Sequence, residues 1–204
     1  VTLQDYSIRA LSLPTRYGSI SKAYVKKGNF DVNIPLLESN PFAIQMYVLG
    51  YNGDGTLTTT SESLKNNLKK YLSQYIPLSD AVNILDAYIV NIGISYEIIP
   101  TVGQNSNEVL LKCNQALQKY FQTTNLQINT PIDLSQVFKL LTSVRGVQTV
   151  TNIQVENKTG GNYSPYGYDI KAATRNNIIY PSYDPCIFEV KYPAQDIVGR
   201  TITL

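Results

Sequence analysis

The chain has 204 residues, 43% of them hydrophobic, which is enough for one sizeable core or two small ones sharing an interface. Basic and acidic side chains nearly balance at 17 and 15, with no basic stripe of the kind that announces a nucleic-acid partner. There is no histidine, so the commonest general acid/base and the commonest metal ligand are both missing, and two distant cysteines, Cys113 and Cys186, make no standard zinc site.

Charged residues make up only 16% of the chain, so its polar surface is mostly Asn, Gln, Ser, Thr and Tyr. Such a surface suits a protein covered by neighbours better than one that must repel them. No signal-peptide pattern is present and no apolar run is long enough to span a membrane. The first residue is Val1, not Met, which predicts a fragment or a processed product with a domain upstream.

In chain order, residues 2–13 read as a short helix, capped by Thr2 and stopped by Pro14. Residues 18–28 read as a strand bounded by Gly18 and Gly28. After a polar, proline-containing stretch, residues 42–51 read as a second strand, antiparallel to the first because no helix connects them. The next stretch, "GYNGDGTLTTTSE", places Asn52, Asp54 and Gly55 where a calcium loop would have them. Its first loop position is Gly50 and its twelfth is Ser61, so two of the strongest ligands are absent. Turn chemistry accounts for the same residues as a strand-to-helix connector, exposed at a sheet edge and open to a neighbouring subunit.

A helix follows, with Thr59 as N-cap and Glu62 three residues on. Leu64, Leu68, Tyr71, Leu72 and Tyr75 form its apolar face. Lys65, Lys69 and Lys70 lie off that face and read as a solvated helix surface before they read as a phosphate site. From Tyr88 to Ile98 the even positions are Tyr, Val, Ile, Ile, Tyr and Ile, a long strand with one buried face. Asp80, Asp86 and Glu97 are the acids nearby; the first two read as turn and strand-edge residues, and Glu97 as polar-side.

A helix over 106–122 is capped by Asn105 with Glu108, its face formed by Val109, Cys113, Ala116, Leu117 and Tyr120, which makes Cys113 a core residue. A third, over 134–144, takes Asp133 as N-cap and Gly146 as its C-terminal stop, with Val137, Phe138, Leu141 and Val144 on its apolar side. Residues 147–157 return as a strand. "LKKYLSQ" and "LQKYFQT" echo each other, a faint sign of two related units. The expected core comprises Leu64, Leu68, Leu72, Val90, Ile92, Ile94, Leu117, Phe121, Val137 and Leu141.

After Asn157 the chain is rich in tyrosine and proline, with one strand pattern near 186–193. Tyrosine gives large contact area at low entropic cost. Tyr163, Tyr166, Tyr168, Tyr180 and Tyr183 are therefore candidate partner contacts. The alternative is a loop folded over its own sheet edge, and both readings stay open.

In order, these segments resemble the C-terminal half of the baseplate J-like proteins of contractile phage tails. "VTLQDYSIRALSLPTRYGSISKAYV" is similar to that family's opening helix, turn and strand. "LKKYLSQYIPLSDAVNILDAYIVNIGISYEI" resembles its helix and long strand. "NEVLLKCNQALQKYFQTTNLQINTPIDLSQVFKLLTSVRGVQTV" resembles its following helices, with Tyr120, Phe121, Gly146 and Val147 in place. Asn129 departs from the pattern, standing where a glycine is frequent. The Tyr-rich stretch, absent from short family members, is more like the T-even-type branch.

The fold so expected is α+β: two small helix-on-antiparallel-sheet units, 1–86 and 87–156, then an extended tail, 157–204, with a final strand. The resemblance implies a structural, non-enzymatic wedge subunit of the tail baseplate, made in the host cytoplasm. Its partners would be copies of itself and other wedge proteins, with no cofactor, metal, membrane or nucleic acid. Two other readings are a nucleic-acid- or glycan-binding module using the Tyr-rich tail and the Lys65–Lys70 face, and a hydrolase using Asp80, Asp86 or Glu97.

Overall fold

The computed structural model of the chain describes residues 2–27, 44–75 and 82–202; Asp80 and the polar stretch after Gly28 lie outside them. The architecture is α+β and divides into two compact units, 1–87 and 88–204.

In the first unit, α1 (Leu3–Leu11) starts at a full capping box. Thr2 Oγ1 accepts from the Asp5 N–H, and Asp5 Oδ2 accepts from the Thr2 N–H at 2.6 Å. Strand β1 (Lys22–Lys27) pairs antiparallel with β2 (Ile44–Tyr51), as the non-helical connection predicts. The hairpin-like β3 (Leu57–Thr58) also pairs with β2, and α2 (Glu62–Leu72) follows. Strand β4 (Val82–Asp86) then runs parallel to β2, so this sheet is mixed. Tyr6 and Ala10 of α1, Met46 and Val48 of β2, and Leu68 and Leu72 of α2 meet in one core. Leu64 is only half-buried against it.

The cap of α2 is Ser61, not Thr59. Ser61 Oγ accepts from the Leu64 N–H at 3.2 Å. The reason is Thr60, whose N–H and Oγ1 both donate to Asp86 Oδ1 at 2.9 and 2.8 Å. That clamp keeps the Thr59–Thr60 backbone outside the helix, which therefore opens at Glu62.

The second unit is built on β5 (Tyr88–Pro100). Next come α3 (Ser106–Tyr120) and, after the two-residue β6 (Ile132–Asp133), α4 (Leu134–Thr142). Both helices use the expected N-caps, Asn105 and Asp133. The chain leaves α4 through Gly146 at φ 102°, a left-handed conformation where a Cβ would also come within 2.7 Å of Val109. Strand β7 (Val147–Asn157) pairs antiparallel with β5. Then α5 (Ile170–Ala173), β8 (Thr174–Arg175) and β9 (Ile178–Ile179) follow, with β9 lying between β6 and β8 in a small sheet.

Strand β10 (Cys186–Glu189) pairs parallel with Tyr88–Asn91 of β5, and β11 (Ile197–Thr201) pairs parallel with Ile94–Ile98. Between them α6 (Pro193–Asp196) bulges out. β10 and β11 thus form one interrupted edge of β5, and β7 forms the other. The even positions of β5 (Ile92, Ile94, Tyr96 and Ile98) are buried under α3 and α4, against Val109, Cys113, Leu117, Phe121, Val137 and Leu141. Every residue of the expected core is buried except Leu64.

Candidate functional site

The Asn-Gly and Asp-Gly pairs build a closed turn. Asp54 Oδ1 accepts from both the N–H and the Oγ1 of Thr56, at 3.0 and 2.7 Å, and Asn52 Nδ2 donates to Thr56 Oγ1. Gly55 sits at φ 82°. The one carboxylate of the loop is thus engaged by Thr56, the turn chemistry of an Asx residue. Among the described residues, no group of three His, Cys, Asp or Glu side chains could hold a metal ion.

The lysine face of α2 is not uniform. Lys65 Nζ lies 2.6 Å from Asp86 Oδ2 and 3.0 Å from Glu62 Oε1, with its side chain mostly buried. Burial opposes its charge, but the hydrogen bonds to Asp86 and Glu62 outweigh that and hold Lys65 above the ordinary lysine range. Lys69 and Lys70 remain exposed. Asp86, one of the acids considered for hydrolysis, is tied to Thr60 and Lys65 within the first unit. Glu97 lies in the second unit, on the polar face of its sheet, beside Asn152, Arg200 and Glu156 in a cleft of about 340 Å³.

The five singled-out tyrosines divide by what they touch. Tyr163 donates to Asp196 Oδ1 at 2.6 Å, and its ring meets Tyr192 edge-on. The Asp196 bond raises the Tyr163 hydroxyl to about 12, with burial adding to the effect. Tyr168 donates to the Tyr180 carbonyl at 2.6 Å and packs edge-on against Phe188. These two anchor the stretch to its own unit. Tyr166, Tyr180 and Tyr183 are exposed at 42%, 44% and 76%, with Tyr166 also edge-on to Tyr88.

The residues that hold this stretch in place escaped the sequence reading. Asn91 is 1% exposed at the centre of the sheet. Its Nδ2 donates to buried Glu189 at 2.8 Å, its Oδ1 accepts from the Ser164 N–H at 2.7 Å, and its carbonyl accepts from the Lys158 N–H and Asn157 Nδ2. Asn157 Oδ1 in turn accepts from the Tyr168 N–H. Asp196, 4% exposed, accepts from Tyr163 and from the Tyr192 N–H. In sequence, Asn91 reads only as a polar position in an alternating strand. Its partners are 73 and 98 residues away, beyond any local signal.

Both cysteines are free and buried. Burial pushes the Cys113 thiol up to about 11, partly offset by its hydrogen bond with Tyr96, and burial raises the Cys186 thiol as well. Both are core groups rather than nucleophiles. Among the described residues no helix is long and apolar enough to cross a membrane.

No protein-family model matches the chain, and no curated protein matches it in sequence. Among solved structures it is similar to a chain in the cryo-EM structure of the anti-feeding prophage baseplate, six-fold symmetrised, with 14% identity and a TM-score of 0.48. That alignment covers 99% of this chain and 37% of the other, so this chain spans about 37% of that chain's length.

Proposed function

We propose that the chain is a structural subunit of a contractile-tail baseplate, a wedge component of the baseplate J-like kind that associates with itself and with other wedge proteins. The observation that carries the reading is the order and spacing of its apolar segments, which resemble that family over 1–25, 68–98 and 107–150. Those segments supply much of each α+β unit's core, which β2 completes in the first unit and residues beyond Val150, among them Ile179, Cys186 and Phe188, complete in the second. The low-charge polar surface suits a protein covered by neighbours, and Tyr166, Tyr180 and Tyr183 offer it aromatic contact area. We read it as non-enzymatic and located in the tail baseplate. The nucleic-acid alternative is weakened because Lys65, the first cation of its proposed face, is engaged by Asp86 and Glu62.

Sedimentation velocity of the purified protein, alone and mixed with the other tail proteins encoded beside it, tests this reading. Concentration-dependent oligomers and a co-sedimenting complex are expected. A persistent monomer that sediments independently of every tail protein would contradict it.

A further inference from the structure

The turn Asn52-Gly53-Asp54-Gly55 sets two dipeptides of the same reactive type side by side and treats them differently. Where glycine follows an Asx residue, its backbone nitrogen, unhindered by a side chain, can attack the side-chain carbonyl carbon and close a succinimide ring. Asn52-Gly53 and Asp54-Gly55 are the one Asn-Gly and the one Asp-Gly pair in the chain.

The Asp54 pair is held back on both sides. Its carboxylate accepts from the Thr56 N–H and Oγ1 at 3.0 and 2.7 Å. The nitrogen that would attack it, that of Gly55, donates its proton to the Asn52 carbonyl at 3.0 Å. The Asn52 pair is open. Asn52 and Gly53 are both exposed, and the Gly53 N–H has no acceptor among the described residues. The hold on the Asn52 side chain is its Nδ2 bond to Thr56 Oγ1, which at 3.3 Å is just beyond the usual range. Nor does the fold need glycine at 53. Gly55 sits at φ 82°, whereas Gly53 is outside the left-handed region and nothing lies within 4 Å of where its Cβ would stand.

We propose that Asn52 is a modification site, at which the chain deamidates with water as the other reactant. The Gly53 amide gives its proton to hydroxide, and its nitrogen bonds to Asn52 Cγ. The Cγ–Nδ2 bond breaks, and the amide nitrogen takes a proton from water and leaves as ammonia. Water then opens the succinimide at either carbonyl, leaving aspartate or isoaspartate at position 52. Either product alters the turn. The new carboxylate has no N–H for Thr56 Oγ1, whose own proton is already with Asp54, and it adds a second negative charge beside that residue. In isoaspartate the main chain runs through Cβ and Cγ, so the carbonyl that accepts from Gly55 leaves it. The turn opens, and with it the pairing of Gly50 with Thr58 and of Tyr51 with Leu57 between β2 and β3. The chemistry needs no partner and is independent of the assembly role.

The intact protein is held in warm, mildly alkaline buffer beside a free peptide of sequence YNGDGTL, residues 51–57. Both are sampled by peptide-mapping mass spectrometry and isoaspartyl-methyltransferase labelling. The folded protein should lose the Asn52 amide before that of any other asparagine, with isoaspartate at 52 and none at 54. The deamidated fraction should show faster hydrogen exchange across 50–58. Gly53→Val crowds the attacking nitrogen at a site with room for the side chain, and should slow the loss about tenfold or more. An Asn52 amide that survives in the folded protein while the peptide is consumed would overturn the inference. So would isoaspartate appearing first at 54 or at another asparagine, a rate that Gly53→Val leaves unchanged, or a deamidated fraction whose exchange across 50–58 is unaltered.

Discussion

Asn129 shows how a single residue carries a backbone requirement. It sits at φ 63°, and its N–H donates to the Cys186 carbonyl at 2.8 Å. Glycine takes this left-handed conformation freely and asparagine tolerates it, which accounts for a glycine being frequent here in the family the chain resembles. Asn129→Gly should be close to neutral and Asn129→Val should cost about 1–2 kcal/mol or more, read from urea denaturation midpoints. Asn91 is a second such position. Asn91→Ala leaves Glu189 buried without one of its hydrogen bonds and frees the Ser164 N–H, a loss of about 2–4 kcal/mol. Its proteolysis should begin in the stretch 158–168. Tyr163 adds a pH signature. Its folded value, about 12, lies above the ordinary 10.0, so the folded state holds the proton more tightly. The stabilisation is whole below pH 10 and is lost as pH rises toward 12. Tyr163→Phe should flatten the fall in denaturation midpoint across that window; an unchanged slope would place the alkaline sensitivity elsewhere, for instance at Tyr168, whose hydroxyl is also raised by burial.

At the scale of elements, the long periodic segments were legible. The even-position run of β5, the helix faces of α3 and α4, and the whole of β7 follow from the sequence, because each sets a periodic apolar face against the second unit's core, although Ile89, Asn91 and Gly93 on the other face of β5 are buried as well. Helix α2 was legible except at its start, where Asp86, 26 residues from Thr60, decides which hydroxyl caps it. Ser61→Ala should therefore cost about 1 kcal/mol, whereas Thr59→Ala should leave stability nearly unchanged, both measured by thermal melting. Strand β11 was not legible. "IVGRT" is short and carries a glycine and a charge, and it becomes a strand by pairing with β5 far away in sequence. Gly199 is the position that allows this, since a Cβ there would overlap the Tyr96 ring. Gly199→Val should detach β11 and expose Tyr96, raising tyrosine accessibility to quenchers. The candidate contacts were legible only as composition: tyrosine content flags an interface, but which rings face inward depends on Asp196 and the Tyr180 carbonyl.

For the whole molecule, two α+β units with few charged side chains suit the proposed role in assembly. The chemistry described within each unit is structural: Asp54 and Asp86 hold turns and a helix start, Asn91 and Asp196 hold the Tyr-rich stretch, and the cysteines fill cores. The most direct measurement is a cryo-EM map of the contractile tail to which the chain is proposed to belong. The account predicts density for both units within the baseplate ring, in contact with neighbouring subunits, and tails without an organised baseplate when the chain is deleted. Complete, contractile tails assembled without the chain, and no density for it in the map, would contradict the account.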